Sequence, residues 1–373
     1  MAESENSLVN IVLELSLQLK WSFQAANGDS LAAIPAGEFV ISWTEESLYV
    51  LSKKAGTPAW QRPIGGIAEV AADDLITIYL KSGVVSARTT RNGKLLWTVT
   101  LRGDTRLIGR AQGAVVTFDG TGCLIALEET TGQLRWEKQM VNTTPGPTIV
   151  ETSVAYVHGN TEFLSVVDIQ NGHKQWETPF NPAEDRLYPN PFFLMLFTAS
   201  SRKLDVIVPG SETAVSSEVR LAGYPIYSNN SVIFQRSWSS GSAQPIWMAG
   251  IHPQHHSNKK PRTLWLSEPL KGAAETCAVG RIQVICDGKR MLAYDQSVDK
   301  VIWNRYTGKA MHLHRFRGLI LAYEGRKLYA LDPDSGETII AREFGGQIEI
   351  FNPNVDGNRF YVVENNRLHA FGY

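Results

Sequence analysis

The chain is poor in cysteine, shows no excess of charge of either sign and lacks any long apolar run. Among 373 residues only Cys123, Cys277 and Cys286 are cysteines, too few for a disulfide framework. Cys277 and Cys286 flank a turn expected at Gly280-Arg281, where they could face each other across two strands. Two small buried apolar side chains are the favoured reading over a disulfide. Lys and Arg number 36 against 37 Asp and Glu, a net charge of -1. That balance points neither to nucleic acid nor to an anionic membrane as a partner. No stretch reaches the roughly 18 apolar residues of a membrane-spanning helix, so membrane insertion is not expected. The apolar stretch Leu8 to Leu19 contains Glu14, follows Glu3 and Glu5 instead of basic residues, and lacks a small-residue cleavage site. It does not read as a secretory signal, and a cytoplasmic location is expected.

A sustained helical apolar period is also missing, which disfavours repeats built of helices. What the chain does contain is a β-type repeat. Gly56-Thr57-Pro58-Ala59-Trp60, Gly93-Lys94-Leu95-Leu96-Trp97, Gly132-Gln133-Leu134-Arg135-Trp136 and Gly172-His173-Lys174-Gln175-Trp176 share the pattern Gly-x-x-x-Trp, with tryptophans 37, 39 and 40 residues apart. Two later copies are worn: Asp299 to Trp303 has lost the glycine, and Gly336 to Ile340 has lost the tryptophan. A short apolar strand precedes each turn, as in Leu124-Ile125-Ala126-Leu127 and Leu328-Tyr329-Ala330-Leu331-Asp332. Turns such as Asp332-Pro333-Asp334-Ser335-Gly336 supply residues that tolerate positive φ. A second strand lies upstream, for example Leu319 to Tyr323 before Glu324-Gly325-Arg326, and a less regular one before that. Four short strands in about 40 residues are the size of one propeller blade.

The motif Leu328-Tyr329-Ala330-Leu331-Asp332…Ser335-Gly336, with echoes at 124–136 and 291–303, resembles the pyrroloquinoline-quinone-type propeller repeat. That repeat occurs in quinoprotein alcohol dehydrogenases and in the periplasmic outer-membrane assembly lipoprotein B. The resemblance is strong over 40–180 and 280–340. It implies that the outer-strand tryptophans dock between neighbouring blades. The residues concerned are Trp21, Trp60, Trp97, Trp136, Trp176, Trp265 and Trp303.

The expected fold is thus all-β, a single closed β-propeller of four-stranded blades spanning 1–373. The last strand, Arg367 to Phe371, reads as a third strand with no fourth after it, while Leu17 to Trp21 reads as a fourth strand with nothing before it. A closing strand at 15–23 pairing with the last blade would remove both free edges, leaving 1–14 as a candidate disordered tail. The interval from Trp176 to Trp265 spans two repeats. Strands are expected in it at 192–198, 204–208, 214–221, 232–236 and 246–249. Nine blades follow by count, with eight and one large insertion as the runner-up.

Chemistry is harder to find than architecture. No nucleophile elbow, phosphate loop, zinc motif or dinucleotide fingerprint is present. The adjacent cysteine pair and haem-attachment motif that accompany quinoprotein enzymes are absent too, and no cofactor, catalytic residue or metal ligand is assigned. His312 and His314, two apart on an expected first strand, read as polar residues lining a central channel in preference to metal ligands. The stretch 181–270 diverges most from the repeat and is rich in aromatics. Its candidate partner-binding residues are Tyr188, Trp238 in a polar loop, and the basic segment His252, His255, His256, Lys259, Lys260 and Arg262. The reading is a non-enzymatic scaffold that binds a protein partner within a multi-protein assembly. The alternative is a small-molecule sensor or an enzyme using the central channel.

Overall fold

The computed structural model describes residues 18–26, 31–140, 146–158, 163–181, 183–189, 194–198, 203–207, 215–218, 225–228, 231–235, 245–250, 262–265, 275–286, 289–295, 297–298, 300–309, 311–351 and 359–372. Among them every regular element is a strand, and the strands form nine antiparallel sheets of four. Sheets A to H each use four strands in chain order. They lie within residues 32–63 (A), 67–100 (B), 106–139 (C), 148–179 (D), 185–218 (E), 225–265 (F), 275–306 (G) and 312–343 (H). Sheet I joins the two ends of the chain: Ile348–Phe351, Arg359–Glu364 and Arg367–Gly372 are followed by Gln18–Gln24. There Trp21 lies opposite Ala370 and Ser22 opposite His369. The divergent interval contains two complete sheets, E and F, whose strands include Leu194–Thr198, Lys203–Ile207, Val215–Glu218, Ser231–Gln235 and Pro245–Gly250.

One turn design joins the third strand to the fourth. In sheet B, Gly93 N donates to Thr89 O and Thr89 N to Lys94 O, and the same pair of bonds recurs around Gly56, Gly132, Gly172 and Gly336. These glycines have φ between 70° and 72°. An L-side chain adopts that conformation only with strain. An acid or hydroxyl residue four positions before the glycine supports the loop. Asp332 Oδ1 accepts the N–H groups of Asp334 and Ser335, as Asp168 Oδ1 accepts those of Gln170 and Asn171.

A β-bulge follows at the same place in sheets A, B, C, D, G and H. Val50 faces Trp60 but Leu51 faces Pro58; Ala126 faces Trp136 but Leu127 faces Leu134. The extra residue, the one just before the tryptophan, resets the alternation of the fourth strand. The tryptophan then turns to the face that meets the next sheet.

Sheets pack face on face, and the apolar residues sort accordingly. Ile41, Val50 and Trp60 of sheet A pack with Ile67 and Tyr79 of sheet B. Equivalent cores join B to C, C to D, D to E, G to H, H to I and I to A. The inner edge is the first strand of each sheet, since first strands touch between A and B, B and C, C and D, D and E, F and G, and G and H. The strands read as mixed apolar runs because both faces of each sheet are covered.

Cys277 and Cys286 lie on the hairpin expected for them, but they do not face each other. Cys277 pairs with Val284 and Cys286 with Glu275. Both are buried free thiols, and burial pushes the Cys277 thiol up to about 12. Small buried side chains are what this hairpin needs, because both its faces are packed.

Candidate functional site

Six of the predicted tryptophans, Trp21, Trp60, Trp97, Trp136, Trp176 and Trp303, are placed at joints between sheets. Five of the indole N–H groups donate to a backbone carbonyl 30 to 33 residues further on, in the turn of the next sheet. The pairs are Trp21 to Lys53 (2.8 Å), Trp60 to Thr90 (2.6 Å), Trp97 to Glu129 (2.7 Å), Trp136 to Ile169 (2.9 Å) and Trp303 to Pro333 (2.8 Å). The glycine three residues beyond that carbonyl lies flat on the ring. A Cβ on Gly132 would come within 2.8 Å of the Trp97 indole, and one on Gly56 within 2.4 Å of Trp21. Burying a tryptophan removes about 200 Å² from water, a gross gain of about 5 kcal/mol. The hydrogen bond adds about 1 kcal/mol. Burial therefore supplies the energy and the N–H sets the orientation. Trp176 is half-buried in the joint between D and E, and Trp265 ends the fourth strand of sheet F.

Charged groups at the inner edge are mostly spent on neighbouring sheets. Glu275, on the first strand of G, accepts from Leu313 N (2.8 Å) on the first strand of H and contacts His312 Nδ1 at 2.6 Å. Glu69 on sheet B does the same for Leu107 N and Arg106 Nε on sheet C. His312 and His314 do lie on a first strand, as expected, and both stack on Tyr323, with centroids 4.9 and 5.7 Å away. Burial lowers the pKa of His314, against the pull of Glu275. Arg110 of sheet C reaches Asp73 of sheet B (2.6 Å) across the joint and pairs with Glu129 of its own sheet. Burial alone would lower the guanidinium's pKa and raise that of Asp73; their mutual bonds outweigh it and hold Asp73 below the usual carboxylate range. At the G–H joint, Arg281 bridges Asp295 (2.9 Å) and Asp334 (2.7 Å). The Ser297 hydroxyl and Arg281 bring Asp295 down to about 2.

In sheet I the buried His369 bonds Ser22 Oγ through Nδ1 (2.8 Å) and Glu364 through Nε2 (3.2 Å). The same string pins Gln18–Gln24 to the strands from the far end of the chain. Nothing in the sequence pattern points to it, because its members are 347 residues apart or sit in ordinary strand positions.

Trp238, His252, His255, His256, Lys259 and Lys260 lie outside the described residues. Tyr188 is in the first strand of sheet E, Asp185–Pro189, and Arg262 opens the last strand of sheet F.

Residues 81–186 match the family model described as outer membrane protein assembly factor BamB. The BamB of Yersinia pestis is 22% identical over 200 residues, which cover 47% of this chain and 50% of that protein. The match thus spans about half the length of this curated relative. The crystal structure of BamB from Moraxella catarrhalis superposes with a TM-score of 0.54 at 13% identity, over 96% of this chain and 98% of that one. Quinohemoprotein alcohol dehydrogenase from Comamonas testosteroni superposes at 0.54 and 11% identity, over 98% of this chain and 77% of that one. Among the described residues no three His, Cys, Asp or Glu side chains converge. Glu69 and Glu275 are engaged in sheet-to-sheet bonds, and Glu129 is paired with Arg110 within sheet C. The donor set at the described inner edge therefore does not fit a quinone held with a metal ion, which needs several free oxygen ligands. Over 81–186 the chain is similar in sequence to the BamB family, and over nearly its whole length it is similar in fold to both BamB and the quinoprotein dehydrogenases.

Proposed function

We propose that the chain is a non-enzymatic propeller scaffold that holds a protein partner within a multi-protein assembly. In this reading the nine sheets close into one nine-bladed ring, a single domain sealed by the strand around Trp21, and the joint tryptophans are its docking residues. The observation that carries the functional part is the match of 81–186 to an assembly factor. The commitment of the inner-edge acids to neighbouring sheets supports it, since it leaves rigid surfaces instead of convergent reactive groups. Within the divergent stretch 181–270, the basic segment with Lys259, Lys260 and Arg262, together with Tyr188 and Trp238, is assigned to the contact. A cytoplasmic location belongs to the same reading and is checked by cell fractionation.

Affinity capture with the tagged full chain after cross-linking in native cells tests the proposal. A partner retained by the chain and weakened by Lys259→Glu with Lys260→Glu supports it. A chain recovered alone at every concentration overturns it. The second reading, a small molecule in the central channel, is favoured only by the dehydrogenase-like fold. It predicts a rise in melting temperature across a panel of quinones and metabolites, because a ligand of the native state stabilises it.

A further inference from the structure

The joint between sheets G and H contains a cavity of about 130 Å³. Its floor is made by Met291, Met311, Ala322 and Leu331, a continuation of the core that joins the two sheets. Its origin lies in one side chain. Tyr79, Ala322 and Val362 occupy the same level of the second strand in sheets B, H and I, counted from the turn pairs Lys81↔Val84, Glu324↔Lys327 and Glu364↔Arg367. Each faces the preceding sheet. Tyrosine or valine fills that space in B and I, and alanine leaves it open in H.

The rim carries two cations, Arg305 and Lys309, one carboxylate, Glu324, which Lys309 neutralises, and the aromatic Tyr306. Arg305 Nη1 donates to Thr338 Oγ1 (2.8 Å) and Gly336 O (3.4 Å) on sheet H, which fixes the guanidinium at the mouth. Its remaining N–H groups face no protein acceptor among the described residues. Lys309 stands opposite and is paired with Glu324 at 3.0 Å. Tyr306 is 75% exposed at the same rim. A planar fork with spare donors beside an apolar hole matches a carboxylate next to an aliphatic group. A cavity of about 150 Å³ accommodates a molecule the size of benzene, so this one takes a single side chain. Methionine walls adapt to such a guest.

We propose that this cavity is a docking site for a protein-partner segment that presents an aliphatic side chain beside an Asp or Glu carboxylate. The aliphatic group enters between Met291 and Met311, the carboxylate bonds Arg305, and Tyr306 covers the junction. The inference rests on the scaffold reading for its biological partner, but its chemistry can be tested without one.

The test is methyl NMR on the full chain, labelled at its six methionines, titrated with acetyl-Leu-Asp-amide and with acetyl-Leu-Asn-amide. Saturable shifts of the Met291 and Met311 methyls are expected with the acid, about tenfold weaker with the neutral peptide. Arg305→Gln should abolish that preference, and Ala322→Leu should abolish binding of both peptides while the other methionine signals stay in place. The absence of Met291 and Met311 shifts, equal binding of the two peptides, or an acid preference that survives Arg305→Gln overturns the proposal. A partner captured equally by wild type and Arg305→Gln would overturn the docking role and leave the scaffold intact. Peptide binding with no partner captured would do the reverse.

Discussion

The joint between sheets B and C and the joint between sheets H and I perform the same task with different parts. At the first, Trp97 lies on Gly132 and donates to Glu129 O. At the second, Ile340 occupies the tryptophan position, packed with Phe316, Phe344, Phe360 and Phe371. The difference follows from connectivity. Arg367–Gly372 pairs with Gln18–Gln24 from the other end of the sequence, and among the described residues no turn glycine of sheet I lies beside Ile340. At the first joint the tryptophan is therefore a partner of the next unit's turn, a partner that the second joint does not offer among the described residues. In the worn repeat, Ile340 is a fitted residue.

Substitutions at the two joints should separate them, most strongly at Trp97. Trp97→Ala should cost about 3–5 kcal/mol in urea unfolding, against about 1–2 kcal/mol for the half-buried Ile340→Ala. Similar losses would show that the indole has no special place at its joint. Gly132→Ala should cost about 2–3 kcal/mol, because it combines a positive φ with a Cβ pressed on Trp97. The control is Gly103, whose Cβ would meet nothing within 4 Å, and Gly103→Ala should be close to neutral. Restoring the motif letter with Ile340→Trp should destabilise by about 1–3 kcal/mol, since the ring has no loop to cover and the phenylalanine cluster is already packed. A gain in stability would break the comparison.

The smallest effect concerns acid. Burial lowers the pKa of His369, although Glu364 pulls the other way, so the folded state binds its proton later than the unfolded chain. The contribution of neutral His369 is then full above the unfolded value of about 6.5 and is lost as pH falls through the folded one. Urea midpoints between pH 7.5 and 5 should fall less steeply for His369→Gln than for wild type. An identical slope would remove sheet I from the acid response.

Much of the architecture was legible because it is written in local terms. Turn glycines, short apolar strands and the spacing of Trp60, Trp97, Trp136 and Trp176 depend on neighbours a few residues away. The pairing of the strand at Trp21 with the last strand was legible for a related reason, since each lacked what the other offered. The polar joints were not. Glu275 with His312, Arg110 with Asp73, and His369 with Ser22 join residues whose meeting depends on how successive sheets stack. The Cys277–Cys286 hairpin was placed correctly, yet its facing pairs depend on a register that the spacing of two cysteines does not specify.

The sequence by itself determined that this is a β repeat with a glycine turn and a tryptophan in each well-kept unit, because those choices answer to backbone conformation and burial within one hairpin. Only the tertiary structure decided that five tryptophans meet the following unit's glycine, that inner acids hold sheets together, and that alanine at 322 leaves a cavity beneath Arg305. Those outcomes belong to the contact between two sheets, where a side chain's neighbour lies some 30 residues away and its space is set by what the facing sheet omits.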